Sequence, residues 1–136
     1  MDYVVGYYAL EDDAYTSNPQ SFFLGGVSIV QNYSGAGESE AIFGQMTYRF
    51  AENWDVTLGA RSTEEDKEGF KEYVGIISAK GQGSFDDTTG TFILSHDYSD
   101  NTNLYFKVAE GFKAGGFNAE SSNPFAASTP YAPETI

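Results

Sequence analysis

"EAIFGQMTYRFAENWDVTLGARST", residues 40–63, decides the fold of this 136-residue chain. Ile42, Gly44, Met46, Tyr48 and Phe50 alternate with Phe43, Gln45, Thr47 and Arg49, so an extended segment collects its apolar side chains on one face. "AEN" interrupts as a short turn, after which Trp54, Val56, Leu58 and Ala60 alternate with Asp55, Thr57, Gly59 and Arg61. Two half-polar strands with so short a link make a β-hairpin.

The pattern recurs. "TFILSHDY" (91–98) is followed by the polar turn "SDNT" (99–102) and by "NLYFKVAEGF" (103–112), where Leu104, Phe106 and Val108 face away from Tyr105, Lys107 and Ala109. "DYVVGYYALE" (2–11) is rich in aromatic and β-branched residues and reads as a further strand. The expected architecture is all-β: an antiparallel up-and-down meander of five strands near 2–11, 40–50, 54–65, 89–98 and 103–113, forming one open, curved sheet. Its connections alternate in length, two tight turns against long polar stretches at 12–39, 65–88 and 114–134. Short turns on one side, long loops on the other and strands of about ten residues describe a segment of a transmembrane β-barrel. On that reading Leu58 faces lipid and Thr57 the lumen. Acidic residues gather in the long connections, at 11–13, 64–68 and 86–87.

Composition agrees. Phe, Tyr and Trp make up 16% and glycine adds 15 residues, which favours extended, turn-rich structure over helix. The length suits one domain, taken as residues 1–136. A net charge of -13 repels nucleic acid. Without cysteine there is neither a disulfide nor a thiolate metal site. The N-terminus lacks the basic start and apolar run of a secretory signal. A mean hydropathy of -0.37, with no apolar run near the length of a membrane helix, excludes helical spans and says nothing of alternating strands.

Motifs for chemistry fail one by one. In "LYFKVAEGFKAGGFN" (104–118) the glycines Gly111, Gly115 and Gly116 invite a phosphate-loop reading, but Phe117 and Asn118 stand where Lys and Ser or Thr are required, and the spacing is not G-x-G-x-x-G. The acidic clusters lack the spacing of a calcium loop, so no metal or cofactor is assigned. His96, the single histidine, has no evident nucleophile or carboxylate partner and reads as a strand-face residue. No G-x-S-x-G elbow is present, and neighbours such as Asp86 and Asp87 point to opposite faces of a strand. The sequon "NYS" (32–34) is too short a match to carry weight. No enzyme activity is expected.

Three stretches together resemble the TonB-dependent outer-membrane receptors. "FGQMTYRFAENWDVTLGARSTEEDKEG" (43–69) is similar to a hairpin of their barrels, "YSDNTNLYFKVAEGFKAGGFN" (98–118) to another, and "YAPET" (131–135) to the element that opens the following strand. Ser62 and Thr91 depart from the pattern, standing where an aromatic and a proline are common. The resemblance implies an internal barrel fragment without plug domain, TonB box or closing C-terminal strand. It implies a place in the outer membrane of a Gram-negative bacterium and TonB-coupled uptake of a scarce solute. A ferric siderophore or similar iron complex comes first, cobalamin or a glycan after it. The implied partners are outer-membrane lipid, the rest of the barrel and its plug, TonB and a small-molecule ligand.

Within that frame Gly111, Gly115 and Gly116 bend the chain where a strand leaves the outer rim, and Tyr131, Pro133 and Glu134 lead into the next strand. Arg61, Lys113, Phe117 and Asn118 are candidate ligand contacts near that rim. Tyr48, Phe50, Trp54 and Tyr98 beside the tight turns form an interfacial girdle in preference to a carbohydrate platform. The alternation alone also fits a soluble β-sandwich that binds a ligand or glycan, with its apolar faces packed on each other.

Overall fold

The computed structural model describes residues 1–22 and 27–136. Five antiparallel strands lie in sequence order in one sheet: β1 (Asp2–Phe22), β2 (Val27–Ala51), β3 (Trp54–Tyr73), β4 (Ile77–Ser99) and β5 (Thr102–Ala109). This is the expected meander, and among the described residues no second sheet packs on its apolar face, which removes the sandwich. The tight turns fall at Glu52 and Asn53 and at Asp100 and Asn101.

The strands are longer than the sequence pattern suggests. The connections expected at 12–39 and 65–88 are almost entirely ladder: Asp12 pairs with Gly37, Gln20 with Ile29, Glu65 with Phe85 and Tyr73 with Ile77. Residues 23–26 of the first stretch lie outside the described residues. The second stretch shrinks to the turn at 74–76, where Gly75 takes φ 73°, a left-handed conformation that favours glycine. The physical reason is that alternation marks only strands with one apolar and one polar environment. Beyond Glu40 and Glu64 both faces carry polar residues, so the period-2 signal ends while backbone pairing continues. Pro19 lacks an N–H to donate and is tolerated because β1 is at the sheet's edge.

Register assigns each side chain a face. On the convex side, Tyr3, Val5 and Tyr7 continue into Ile42 and Met46, Val56 and Leu58, Phe92 and Leu94, and Phe106 and Val108. Apart from half-buried Val56 and Leu94 these side chains are exposed: Leu58 retains 49% of its surface, its neighbour Thr57 only 9%. The buried strand residues Ala41, Thr57, Thr63, Lys71 and Phe85 all lie on the concave side.

Beyond β5 the chain folds back over that concave side. The strand expected to 113 stops at Ala109, and Phe112–Lys113 (β6) changes partner, pairing with Glu134–Thr135 (β7). Between them a lobe is closed by the Gly116 and Tyr131 bridge and holds one helical turn, α1 (Pro124–Ala127). Asn123 caps that turn through its Oδ1, which accepts from Phe125 N, and Pro124 occupies a position whose N–H is dispensable.

Three glycines, Gly35, Gly69 and Gly81, lie side by side across β2, β3 and β4. Phe117 rests on Gly69 and Gly81, where a Cβ would come within 2.7 and 2.8 Å of its ring, and the Ser128 carbonyl oxygen occupies the space a Cβ on Gly81 would need. Lys67 Nζ donates to Gly115 O (3.2 Å), Lys71 Nζ to Ala119 O (2.6 Å) and Tyr73 Oη to Ser122 O (2.6 Å).

Two outcomes follow from these placements. In the intact barrel, Leu58→Arg puts a charge against hydrocarbon and should cost about 2 to 4 kcal/mol near the bilayer midplane, with Thr57→Arg milder. Unfolding titrations in lipid vesicles that give equal costs contradict the face assignment. Gly81→Ala should lift the lobe, at about 1 to 3 kcal/mol for an overpacked contact, and raise proteolysis within 116–131. Gly90→Ala, whose Cβ would meet only Glu110 Oε2 at 3.5 Å, should leave cleavage unchanged.

Candidate functional site

The concave face gathers the polar chemistry. At its lower end Thr47 and Thr57 share a hydroxyl hydrogen bond of 2.8 Å. Arg49 grips Asp55 through Nε and an Nη (3.0 and 2.8 Å), with Asp97 at 3.9 Å. Seven residues above Trp54, Arg61 lies between two rings, its Cζ 5.4 Å from the Tyr8 centroid and 5.9 Å from that of Phe43. Its Nε donates to Thr63 Oγ1 at 3.0 Å.

Higher on the same face Thr16, Asn18, Gln20, Gln31, Tyr33 and Lys71 line a basin of about 430 Å³, closed on one side by Ala119 and Glu120 of the lobe. Gln31 Nε2 donates to Gln20 Oε1 at 3.0 Å, so the wall is a row of carboxamides and hydroxyls that can exchange hydrogen bonds with a polar guest. Burial, with a smaller contribution from Tyr131, raises the Tyr33 phenol above its ordinary pKa. Outside the face, Lys80 and Gln82 hydrogen-bond Glu68 and hold its carboxyl below the usual value.

The expected contact residues are spread along the face rather than gathered at one point. Arg61 stands on the wall at the top of the apolar belt, Phe117 is spent on the glycine platform, and Asn118 turns its own lobe, its Oδ1 accepting from Glu120 N. Lys113 is exposed on β6, its backbone paired with Glu134. Gly111 exchanges backbone hydrogen bonds of 2.9 Å with Ile136, and Tyr131 N donates to Gly116 O at 2.8 Å, with exposed Pro133 between that bridge and β7. The three glycines do not act through unusual dihedrals, since Gly75 alone among the described glycines has positive φ. Gly115 and Gly116 serve close approach: a Cβ on Gly115 would strike the Tyr131 carbonyl and the Phe85 ring.

Sequence reading missed Lys67 and Lys71 as the anchors of the lobe, because their acceptors are carbonyls 48 residues away. It also missed the partners of Arg61, since Tyr8 and Phe43 join it only once three strands are in register. On the convex side the girdle residues Phe50 and Trp54 approach to 6.3 Å, and Trp54 stacks on His96 at 4.2 Å and 18°. His96 Nδ1 donates to Asn53 O at 3.0 Å, and Tyr98 meets its ring edge-on. The histidine is thus part of the aromatic rim.

Comparison with curated proteins returns no match. Among solved structures, the ferric yersiniabactin uptake receptor FyuA from Yersinia pestis is similar over 98% of this chain, with TM-score 0.83 and 18% identity. The chain spans 21% of that receptor's length, and at this identity the likeness concerns the fold. The family model described as TonB dependent receptor-like, beta-barrel matches residues 2–136. A match so nearly complete establishes that the chain belongs to the TonB-dependent receptor-like β-barrel family.

Proposed function

We propose that this chain is part of the wall of a receptor in the outer membrane of a Gram-negative bacterium, which imports an iron complex of the siderophore kind with energy delivered through TonB. The observation that carries the reading is the division between the two faces of the sheet: apolar and aromatic residues follow one another along the convex side, Tyr3 to Tyr7, Ile42 to Phe50, Trp54 to Leu58 and Leu104 to Val108, while the charged residues among them, Arg49, Asp55, Asp97 and Lys107, lie on the concave side. A wall so divided suits lipid outside and an aqueous or plugged lumen inside. The iron chelate is put first by the resemblance of the sequence motifs, and a receptor for ferric yersiniabactin shares the fold.

In this reading the outer-membrane lipid covers the belt, and the open edges of β1 and β5 are paired by the rest of the barrel, since unpaired backbone in hydrocarbon costs several kcal/mol per group. A plug domain and the contact with TonB belong to parts of the receptor outside residues 1–136. Arg61 on the wall, with Lys113, Phe117 and Asn118 nearer the outer rim, would meet the small-molecule ligand.

Uptake of radiolabelled iron chelate by cells carrying the intact receptor should require both TonB and the proton gradient. Uptake that survives removal of TonB overturns the energy coupling. A receptor that supports growth on cobalamin but not on chelated iron overturns the cargo. Vesicles holding only residues 1–136 should take up nothing, because five strands do not close a pore that needs about eight.

A further inference from the structure

Most cations of the concave face and its surroundings are already committed. Arg49 is held by Asp55, Lys67 by Glu65 and the Gly115 carbonyl, Lys71 by the Ala119 carbonyl and Lys80 by Glu68. Arg61, Lys107 and Lys113 enter none of the ion pairs among the described residues, and of these three Arg61 alone is set against aromatic rings. Its Nε is taken by Thr63, which leaves the planar pair of Nη groups and their four N–H donors.

The group is held for use. Tyr8 and Phe43 wall the guanidinium, and the Phe43 ring can lie where it does because Gly6 on the adjacent strand has no side chain, a Cβ there falling against three ring carbons. Two aromatic faces and the Thr63 bond fix the plane of the fork and shield it partly from water, so less freedom is lost when an acceptor arrives. The fork presents parallel N–H donors whose geometry matches two oxygens of one carboxylate. A phosphate, with its greater charge, would call for a second cation beside it, and the nearest lysines above, Lys67 and Lys71, are bonded to lobe carbonyls.

We propose that Arg61, walled by Tyr8 and Phe43, is a binding station for a carboxylate inside the lumen. This rests on the reading of the concave face as the lumen of a solute receptor and adds the chemical class recognised there. The carboxylate can come from the solute or from an acidic side chain of the protein that fills the lumen.

The test uses the intact receptor, solubilised without an energy source, so its outcome is independent of TonB coupling and cargo. The iron complex of citrate, which presents carboxylates, probes the solute source by equilibrium binding. If that source is correct, Arg61→Gln should weaken binding about tenfold or more, as expected for loss of a charge-assisted bidentate contact. Lys80→Gln, on the opposite face, should leave the affinity unchanged.

Carbodiimide coupling probes the protein source. It joins an amine to an adjacent carboxylate as an amide, the carbodiimide taking up the water lost, so the Arg61→Lys receptor should yield a cross-link from position 61 to an Asp or Glu outside residues 1–136. Either result supports the station and names its source. If the Arg61→Gln receptor fails to fold, judged by its heat-dependent gel mobility, Arg61→Lys keeps the charge and the cross-link decides. Unchanged or absent citrate binding together with no cross-link overturns the proposal.

Discussion

Inside a bilayer no water is available to a backbone N–H or C=O, so each must find its partner in the protein, and the antiparallel ladder is the constraint on which the rest of this wall depends. β2 is paired along both sides, from Asp2 opposite Thr47 to Phe22 opposite Val27 on one edge and from Gln31 opposite Tyr73 to Ala51 opposite Trp54 on the other. Register then settles the environment of every side chain, since a slip of one residue would exchange Leu58 for Thr57 at the lipid face. The recorded irregularities, between Arg49 and Ala51 and between Asp97 and Ser99, both lie beside tight turns. The apolar belt above them runs without a bulge.

Where lipid meets one side and water the other, the fold was legible. Alternation in 40–63 and 91–109 gave the hairpins, their faces and the meander order, because burial in hydrocarbon selects side chains residue by residue. The same logic explains what stayed hidden. Beyond Glu40 and Glu64 both faces are wet, and a strand such as Ser28 to Ser39 carries Gly, Ser, Asn and Glu in the proportions of a loop while its backbone remains fully paired. The candidate site was legible only as single residues. Arg61 could be placed on the polar face, but its two rings come from strands 18 and 53 residues earlier, and nothing local announces them.

The acidic surplus also has a place. On the convex side above the belt Glu11 faces Glu38, Glu38 faces Asp66, Glu40 faces Glu64 and Glu64 faces Asp86, and all of them are exposed. Like charges directly across a ladder oppose pairing by about 0.2 to 1 kcal/mol each, less where salt screens them. The upper sheet is therefore held by its hydrogen bonds and by the lobe on its concave side, against its own charge. The change from Ile42 and Ser62 to Glu40 and Glu64 takes one step of the pleat, so the upper limit of the lipid contact is sharply marked.

The lobe is held largely through backbone. Lys67, Lys71 and Tyr73 reach carbonyl oxygens, and the glycine platform admits main chain and one ring, so the path of residues 114–131 depends on few of their side chains. Substitutions at exposed lobe positions such as Phe125 leave the anchors intact. The wall below is the opposite case, because Arg61 owes its orientation to Thr63, Tyr8, Phe43 and the empty space at Gly6 together. Variation is cheap where recognition is of carbonyls and costly where it is of a fixed guanidinium. Changes to the exposed surface of the lobe therefore leave its seat on Gly69 and Gly81 intact, whereas a change at any of the four positions around Arg61 acts on the whole set of contacts.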